Sequence, residues 1–328
     1  MFRDRRIAVV VPAYNEESQI GKVLATMPAW VDRVIAVDDA STDGTAAVIE
    51  EHCRTSERFV LLRRQKNGGV GAAVADGYRR ALEDGAEIIA VMAGDGQMHP
   101  DDLPALLSAV ATGEVDYSKG NRLLLGNAWR QMPWTRLIGG AVLSFLTKIA
   151  SGYWHVSDSQ NGYTAISRQA AAQLLQDGFY PRFGMPNDIL VLLNIHNFAV
   201  RDIPMRPVYN IGERSKLRVP AVILPICWLL MRRFFYRLWQ KYIVRDTHPL
   251  VLFYLLGMFL LPLGMLYGAA ILCSRIIGPT LLRTSAFDFL RPICTDSGIV
   301  LDALLILTGL QFILFAMWFD MQHNARLR

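Results

Sequence analysis

A long uncharged segment near the carboxyl end places the strongest restriction on how this chain folds. Residues 249–273 read PLVLFYLLGMFLLPLGMLYGAAILC and contain no charged side chain. About 20 apolar residues are enough for a helix to cross the hydrocarbon core of a bilayer. A second uncharged segment, ALLILTGLQFILFAMWF, covers residues 303–319. The two segments predict a membrane region over 248–328, with spans at about 249–273 and 300–319 and a short cytosolic tail.

The flanks of the two predicted spans indicate their orientation. The first apolar run, IAVVVPAYNEE, is too short for a secretory signal, so the amino-terminal domain is expected in the cytosol. Two spans then return the carboxyl terminus to the same side. Arginine and lysine residues flank the spans on that side, in agreement with the positive-inside rule, although the loop between the spans also carries three arginines. The expected location is the inner (cytoplasmic) membrane, as a multi-pass protein.

A basic segment at 219–247 precedes the first span. Arg233, Arg237, Lys241 and Arg245 are spaced by four residues and therefore share one face of a helix. Aromatic residues cover much of the remainder, which predicts an amphipathic helix in the membrane interface. The alternative is a solvated charged face on an ordinary helix. The net charge of +5 is carried largely by such juxtamembrane residues, which favours anionic membrane lipids over nucleic acid as a partner.

Strands and helices alternate in the first part of the chain. The apolar runs IAVVVPA, VDRVIAVDD, RFVLLRR and AEIIAVMAG are separated by segments of helical periodicity. This alternation is typical of a doubly wound α/β fold with a mostly parallel, Rossmann-like sheet. Ligands bind such sheets at the carboxyl ends of the strands. We expect one site from the polar clusters at those ends, namely Tyr14-Asn15-Glu16, Asp38-Asp39, Asn67-Gly68-Gly69 and Asp95-Gly96-Gln97.

Four motifs in a fixed order resemble those of the family-2 glycosyltransferases, which have the GT-A fold. They are VVVPAYNEE, VDDASTDGT, NGGVGAAVADG and MAGDGQMHP. The later stretches KGNR, SDSQNGYTAISR and IPMRPVYNIGERSKLRV are similar to the branch that includes dolichol-phosphate mannose synthases and bacterial polyprenyl-phosphate glycosyltransferases. The resemblance implies a GT-A domain over residues 1–218. It also implies transfer of a hexose, with inversion, from a UDP- or GDP-sugar to a polyprenyl phosphate.

The resemblance implies nucleotide-binding roles for residues that follow the first three strands. They are Pro12, Tyr14, Glu16, Asp38, Asp39, Asn67 and Gly71. A tyrosine can stack on a base, and the two aspartates suit the base imide and the ribose hydroxyls. Asn67 and Gly71 open a helix whose free N–H groups suit an anion. The alternatives are a turn or helix cap at Asp39 and an ordinary turn at Asn67.

The fourth motif implies a divalent cation, Mg²⁺ or Mn²⁺. The family's Asp-x-Asp-x-Gln pattern grips a metal on the donor diphosphate, but here Ala93 occupies the first aspartate position. Asp95 and Gln97 match the second carboxylate and the amide. Mg²⁺ commonly uses one or two carboxylates with phosphates and water, so Asp95 is chemically sufficient at lower affinity. Gly94 is expected to let the backbone approach the donor. The alternative is that Asp95 merely caps the next helix.

Further along the chain, the resemblance implies a catalytic and acceptor-side group. Its members are Asp95, Asp158, Asp188, Arg206, Arg214 and Lys216, and Lys119, Asn121 and Arg122 of KGNR join it at a strand end. Arginine and lysine there would pair with the acceptor phosphate and the donor diphosphate. Asp188 would act as a base only if the acceptor is a hydroxyl, because a lipid phosphate is already ionised. A helix cap is the alternative for Asp188.

Two rival functions stay open at this stage. The enzyme could glycosylate a hydroxyl of a lipid or glycan, with Asp188 as the base. The chain could instead bind nucleotide sugars at the membrane without catalysis, since Ala93 replaces one expected carboxylate. The expected partners are a nucleotide sugar, a polyprenyl phosphate and membrane lipids, with no nucleic acid. A homo-oligomer is left open.

Overall fold

Seven strands form one sheet in the order β3-β2-β1-β4-β6-β5-β7. They are β1 (Ile7–Ala13), β2 (Arg33–Asp38), β3 (Phe59–Arg63), β4 (Ile88–Val91), β5 (Tyr117–Asn121), β6 (Thr164–Ser167) and β7 (Val200–Pro204). All neighbouring strands are parallel except β6, which runs antiparallel to both β4 and β5. The predicted α/β fold with a mostly parallel sheet is therefore confirmed.

The central strands are apolar along their whole length because helices cover both faces of the sheet. Every residue of β1, IAVVVPA, is buried. Val10 pairs with Ile35 of β2 on one side and with Val91 of β4 on the other. The core is therefore centred on β1, and the carboxyl ends of β1, β2 and β4 form one edge of the sheet.

The helices follow the alternation that the sequence predicts. In chain order they are α1 (Glu17–Ala25), α2 (Thr45–Thr55), α3 (Val70–Glu83), α4 (Leu103–Ala111), α5 (Trp134–Ser151), α6 (Arg168–Asp177), α7 (Met185–Ile195), α8 (Val219–Trp239), α9 (Leu250–Leu281) and α10 (Asp296–His323). Helix α7 has every residue buried, which fits its largely apolar sequence, and its polar residues Asn187, Asp188 and Asn194 are buried as well.

The structure is a computed structural model that describes residues 2–124, 134–206, 219–281 and 295–328. Arg214 and Lys216, two of the expected acceptor-side residues, lie outside the described residues. The chain divides into two units, Met1–Arg237 with Asn324–Arg328, and Leu238–His323. The sheet and helices α1 to α7 belong to the first unit.

The second unit consists mainly of α9 and α10, both long and apolar enough to cross a membrane. The candidate spans are Leu250–Ser274 and Asp296–His323, with mean hydropathies of 2.2 and 2.3. Their backbones approach closely, because a Cβ added at Gly309 would lie 2.5 Å from the backbone nitrogen of Leu261. Small residues at such crossings are typical of paired transmembrane helices.

The basic stripe predicted for 219–247 is wrong in the positions of its charges. Arg237 is fully buried, and its Nε donates to the carbonyl oxygen of Ala150 at 2.8 Å. Arg233 is held by Asp188, and Lys241 is 2% exposed. The regular spacing also ends at residue 240, because Gln240–Arg245 forms a π-helical turn, in which hydrogen bonds join residues five apart.

The exposed face of α8 is apolar instead. Leu224, Trp228, Met231 and Phe235 are between 45% and 75% exposed. Their spacing of three and four residues places them on one stripe along the helix. An interfacial role for this segment stays a prediction, and its contact groups would be aromatic and aliphatic side chains rather than the arginines.

Candidate active site

A small cavity lies at the carboxyl edge of the sheet, beyond the ends of β4, β5 and β7. Its lining combines acidic, amide and basic groups with two methionines: Asp95, Gln97, Met98, His99, Asp102, Arg122, Asn161, Tyr163, Met205 and Arg206. The strand ends thus bring together Asp95, Gln97 and Arg206, which the sequence predicts as site residues. His99, Asp102 and Tyr163 were not predicted.

The segment after β4 turns sharply at Asp95. Asp95 Oδ1 accepts a hydrogen bond from the backbone nitrogen of Gln97 at 2.9 Å, and Gly96 has a φ of +77°, which favours glycine. The next helical turn, Pro100–Asp102, is capped by His99, whose side chain accepts from the backbone nitrogen of Asp101. The alternative in which Asp95 caps this helix is therefore wrong, and its carboxylate belongs to the cavity.

Gly94 serves the packing of the strands. Its backbone nitrogen donates to the carbonyl oxygen of Pro12 at 3.1 Å. A Cβ added at Gly94 would lie 3.0 Å from Ile20 Cδ1 and 3.3 Å from the Cβ of Ala13. The close approach at this glycine is to β1 and α1, and its role in accommodating the donor stays a prediction.

Arg122 and Asp158 form a bidentate pair at the wall of the cavity. The guanidinium Nε and Nη2 donate to the two carboxylate oxygens at 2.8 and 3.0 Å. Burial alone would raise the pKa of the Asp158 carboxyl, but its hydrogen bonds and charge interaction with Arg122 outweigh burial and hold the pKa below the ordinary value. Asp158 does not line the cavity, so its contact with the site runs through Arg122.

The other polar residues of KGNR are buried beneath the site. Lys119 is fully buried, donates to the carbonyl oxygen of Asp158 and lies 3.7 Å from Asp202 Oδ1. Asn121 Nδ2 donates to Asp202 Oδ2 at 2.6 Å. The expectation that Lys119 and Asn121 contact sugar or phosphate is therefore corrected. They fix β5 to β7, and Asp202 is a residue that no sequence motif had indicated.

The predicted nucleotide-binding residues occupy a neighbouring part of the same edge and line no part of the described cavity. Pro12 is buried within β1, whereas Tyr14 directly after it is 41% exposed. The backbone nitrogen of Glu16 donates to Thr45 Oγ1 at 2.8 Å. Asp38 Oδ1 accepts from the backbone nitrogen of Ser41 at 3.1 Å. These contacts place the first two strand ends side by side.

Asp39 holds the glycine-rich loop before α3. Its Oδ1 accepts from the backbone nitrogen of Gly68 at 2.9 Å and from Arg64 Nη1 at 2.6 Å. Its Oδ2 accepts from the backbone nitrogen of Gly69 at 2.8 Å. Both carboxylate oxygens are therefore engaged by the chain itself. In this structure the turn interpretation of Asp39 fits its contacts better than a direct contact with base or ribose.

The amino end of α3 is covered by another segment of the chain. The backbone nitrogen of Ala72 donates to the carbonyl oxygen of Pro181 at 3.1 Å. A Cβ added at Gly71 would lie 2.8 Å from the carbonyl carbon of Pro181, so only glycine fits there. With Gly68 and Gly69 bonded to Asp39, three amides of the Gly68–Ala72 region have partners within the chain. They are not the free anion-binding amides that the sequence predicts.

Asp188 lies away from the described cavity, on the fourth residue of α7. Its side chain is fully buried, and Arg233 Nη2 donates to its Oδ2 at 2.8 Å while Arg233 Nε lies 2.5 Å from its Oδ1. Burial raises the pKa of the Asp188 carboxyl, and Arg233 opposes that rise. The helix-cap alternative is wrong, because Gly184 occupies the cap position and no side chain caps the helix.

Comparison with solved structures identifies the fold. The chain is similar to glucosyl-3-phosphoglycerate synthase from Mycobacterium tuberculosis, solved with Mn²⁺, UDP and glucosyl-3-phosphoglycerate. The TM-score is 0.53 at 22% identity, over 71% of this chain and 81% of that one. The likeness shows that the sheet belongs to a protein of the GT-A fold.

Sequence comparison identifies the family. Residues 8–175 match the model of glycosyl transferase family 2, and the chain belongs to this family. It is 28% identical to a UDP-N-acetylglucosamine–dolichyl-phosphate N-acetylglucosaminyltransferase from Methanococcus voltae, over 72% of this chain and 95% of that protein. It is 30% identical to the polyprenol monophosphomannose synthase of Mycolicibacterium smegmatis, over 52% and 64%. The predicted family and enzyme class are confirmed.

Proposed function

We propose that the protein transfers a hexose from a nucleotide sugar to a polyprenyl phosphate at the membrane, with inversion at the anomeric carbon. The observation that carries the proposal is the cavity itself, where Asp95, Arg122 and Arg206 line one space. Two phosphate-bearing substrates need such a mixture of groups. The relatives named for dolichyl and polyprenol phosphates support a lipid phosphate as the acceptor.

The residues around Asp95 fit a divalent cation that is held mainly by the donor. Asp95 and Gln97 supply a carboxylate and an amide oxygen to the cavity. Among the described residues, no group of three or more His, Cys, Asp or Glu side chains could hold a metal by itself. Mg²⁺ typically keeps one or two carboxylates and fills its other positions with phosphates and water. When bound, such a cation acts as a Lewis acid that stabilises the departing nucleoside diphosphate.

The charges that line the cavity support the following reaction. An oxygen of the lipid phosphate forms a bond to the anomeric carbon, and the bond to the nucleoside diphosphate breaks on the opposite face with its electron pair. Arg206 would pair with the acceptor phosphate, and Arg214 and Lys216 are proposed to join it. Arg122, which Asp158 holds in place, would face the donor diphosphate. No general base is required, because the acceptor is already ionised.

The engagement of Asp188 supports a phosphate as the acceptor over a hydroxyl. A base must reach the proton that it removes, within about 3 Å or through one water. The Asp188 carboxylate is fully buried and faces Arg233 and the backbone nitrogen of Tyr180. A hydroxyl acceptor would have no evident base at this position.

The two apolar helices support a membrane location. Residues Leu250–Ser274 and Asp296–His323 are long enough to anchor the enzyme in a bilayer. A polyprenyl chain can stay in the bilayer while its phosphate enters the site. We propose that the GT-A domain faces the cytosol and that the protein resides in the cytoplasmic membrane.

A radiolabel transfer assay tests the proposal. Membranes from cells that overproduce the protein receive labelled UDP-glucose, UDP-galactose, UDP-N-acetylglucosamine or GDP-mannose, each with Mg²⁺ or Mn²⁺. Label in an acid-labile, alkali-stable lipid is the expected result and names the donor. Label in an acid-stable lipid would indicate a hydroxyl acceptor. No label with any donor, and no difference from an Asp95→Ala control, would indicate a non-catalytic protein.

A further inference from the structure

Asp188 lies on α7 and connects the loop 178–184, which directly precedes this helix, to the more distant helix α8. On one side, Arg233 of α8 contacts both of its carboxylate oxygens. On the other side, the backbone nitrogen of Tyr180 donates to Asp188 Oδ2 at 2.7 Å. Arg233 Nη2 also lies 3.3 Å from the carbonyl oxygen of Gly178, to which it donates. The pair of Asp188 and Arg233 therefore holds the first half of the loop 178–184, at Gly178 and Tyr180.

The same loop closes the glycine-rich end of α3. The carbonyl oxygen of Pro181 accepts from the backbone nitrogen of Ala72. Gly69 has a φ of +93°, and a Cβ there would lie 2.8 Å from Arg182 Cγ. Gly69 is bonded in turn to Asp39, at the end of β2. A continuous series of contacts thus runs from α8 through Asp188 and the loop to the nucleotide side of the sheet edge.

Helix α8 is itself anchored to α5 by a second arginine. Arg237, one turn after Arg233, is buried and donates to the carbonyl oxygens of Ala150 and Ile149. The opposite face carries the exposed apolar stripe of Leu224, Trp228, Met231 and Phe235. A shift of α8 therefore has to be transmitted to Asp188 or break a buried ion pair, which would leave an uncompensated charge.

We propose that Asp188 is a positioning residue for the donor site: with Arg233 it fastens α8 to the loop 178–184, and this loop fixes the glycine-rich end of α3 on the nucleotide side. The inference rests on the proposed function, because it requires the site to bind a nucleoside diphosphate. It gives Asp188 a role that differs from that of a base. Asp188 acts on donor binding through the loop and touches no reacting atom.

Nucleotide binding and steady-state kinetics of the purified full-length protein test this role. Asp188→Asn and Arg233→Gln are compared with the wild type by calorimetry with UDP and with GDP in the presence of Mn²⁺. Each variant is expected to weaken binding of the preferred nucleotide, and to raise the donor KM, by about fivefold or more, with kcat largely retained. The double variant is expected to be no worse than either single variant, because all three break the same pair.

Two other results would overturn the inference. A large loss of kcat in Asp188→Asn with unchanged nucleotide binding, not reproduced by Arg233→Gln, would make Asp188 a base. The variants could instead give less folded protein, while each folded molecule binds nucleotide and turns over as the wild type does. That result would make the pair of Asp188 and Arg233 purely structural. Arg5→Gln is the matched control, since Arg5 pairs with Glu87 at an exposed site and such pairs contribute little.

Substitutions of Asp188 or Arg233 could prevent folding, so a further variant displaces the loop without changing this buried pair. Gly71→Ala would push a methyl group against Pro181 and displace the loop while Asp188 and Arg233 stay intact. It is expected to weaken nucleotide binding in the same way, and unchanged binding would contradict the inference. If Arg233 affects nucleotide binding but no sugar reaches a lipid phosphate, the proposed function fails and the inference stands. If the wild type binds neither UDP nor GDP, both fail.

Discussion

Arg122 lines the candidate-site cavity, and its guanidinium donates to both carboxylate oxygens of Asp158, at 2.8 and 3.0 Å. A bidentate pair of this kind fixes the plane of the guanidinium as well as its position. We predict that Asp158→Asn lowers kcat/KM for sugar transfer by about 100-fold, because a small displacement of a charge-binding group is enough to do so. The radiolabel assay with purified variants measures this loss.

The matched control for this variant is Glu114→Gln. Glu114 also pairs with an arginine, Arg201, but at an exposed position outside the cavity lining. The Glu114→Gln variant should keep kcat/KM for sugar transfer within about twofold of the wild type, because a surface ion pair contributes little. Arg122→Lys should be nearly as impaired as Asp158→Asn, since a lysine cannot form the bidentate pair. Full activity of Arg122→Lys would contradict this role.

Asp158 should also make stability depend on pH. Arg122 holds the pKa of the folded Asp158 carboxyl below its ordinary value of about 3.9. The stabilisation is therefore fully present above about pH 4 and is lost as the pH falls through the lowered folded pKa. Urea unfolding between pH 2 and 6 should show a steeper acid loss for the wild type than for Asp158→Asn. A Glu51→Gln control, at an exposed site on α2, should follow the wild type.

Ala93 provides a test of the metal site by gain of a ligand. Asp95 supplies the carboxylate of the motif MAGDGQMHP, and Ala93 stands two residues before it, where the family pattern has another aspartate. Ala93→Asp should lower the Mg²⁺ concentration needed for half-maximal transfer, because a second carboxylate adds a hard oxygen ligand. Asp95→Asn should abolish transfer, and EDTA should do the same to the wild type. Activity that is unaffected by EDTA would contradict a metal-assisted reaction.

Most of the fold could be predicted from local sequence patterns. Strand β6 shows what such patterns do not reveal. The apolar runs that become β1 to β4 are bounded by turn residues and separated by helical periodicity, which identifies parallel strands. The four residues of β6, TAIS, carry no sign of direction. Its antiparallel course is set by pairing with β4 and β5, and these long-range contacts are not written in the segment itself.

Part of the candidate site could be predicted from two features alone: the residue type and a position just after a strand. Asp95, Gln97 and Arg206 have both features and line the cavity. Asp39 and Lys119 also have a suitable residue type at a strand end. However, Asp39 contacts the backbone nitrogen of Gly68, and Lys119 lies beside Asp202. A carboxylate that binds a ligand and one that binds a distant loop look alike in sequence. Only the tertiary partner distinguishes them, and a motif that names one residue does not name its partner.

Arg237 and Trp228 should respond differently to substitution, although both lie on the predicted interfacial segment. Arg237→Met removes the donors to a buried carbonyl oxygen, that of Ala150, and to a partly buried one, that of Ile149, and should destabilise the protein by about 2–4 kcal/mol. Trp228→Phe should leave stability unchanged, because the side chain is 60% exposed. Thermal unfolding in detergent measures both effects. A stable Arg237→Met protein would restore the interpretation of Arg237 as a lipid-facing residue.

Trp228 should also report contact with lipid. Reconstitution into bilayers of brominated phosphatidylcholine quenches tryptophans that reach the acyl region. The Trp228→Phe protein should lose a measurable part of this quenching, because the exposed stripe is expected to lie in the interface. Trp30→Phe is the control, since Trp30 packs against the core beside Phe2. Equal quenching in the wild type and the Trp228→Phe protein would place the stripe in water.

The pairing of α9 and α10 depends on a close contact that a larger residue cannot enter. The ideal Cβ position at Gly309 lies 2.5 Å from the backbone nitrogen of Leu261 and 2.8 Å from its Cα. Gly309→Val therefore has to separate the two helices, at a cost of about 1–3 kcal/mol for overpacking. Proteolysis of the reconstituted protein at rising temperature should detect earlier opening. Leu307→Val, at a position 66% exposed on the same helix, should open at the wild-type temperature. Equal resistance of both variants would show that this backbone contact does not hold the hairpin together.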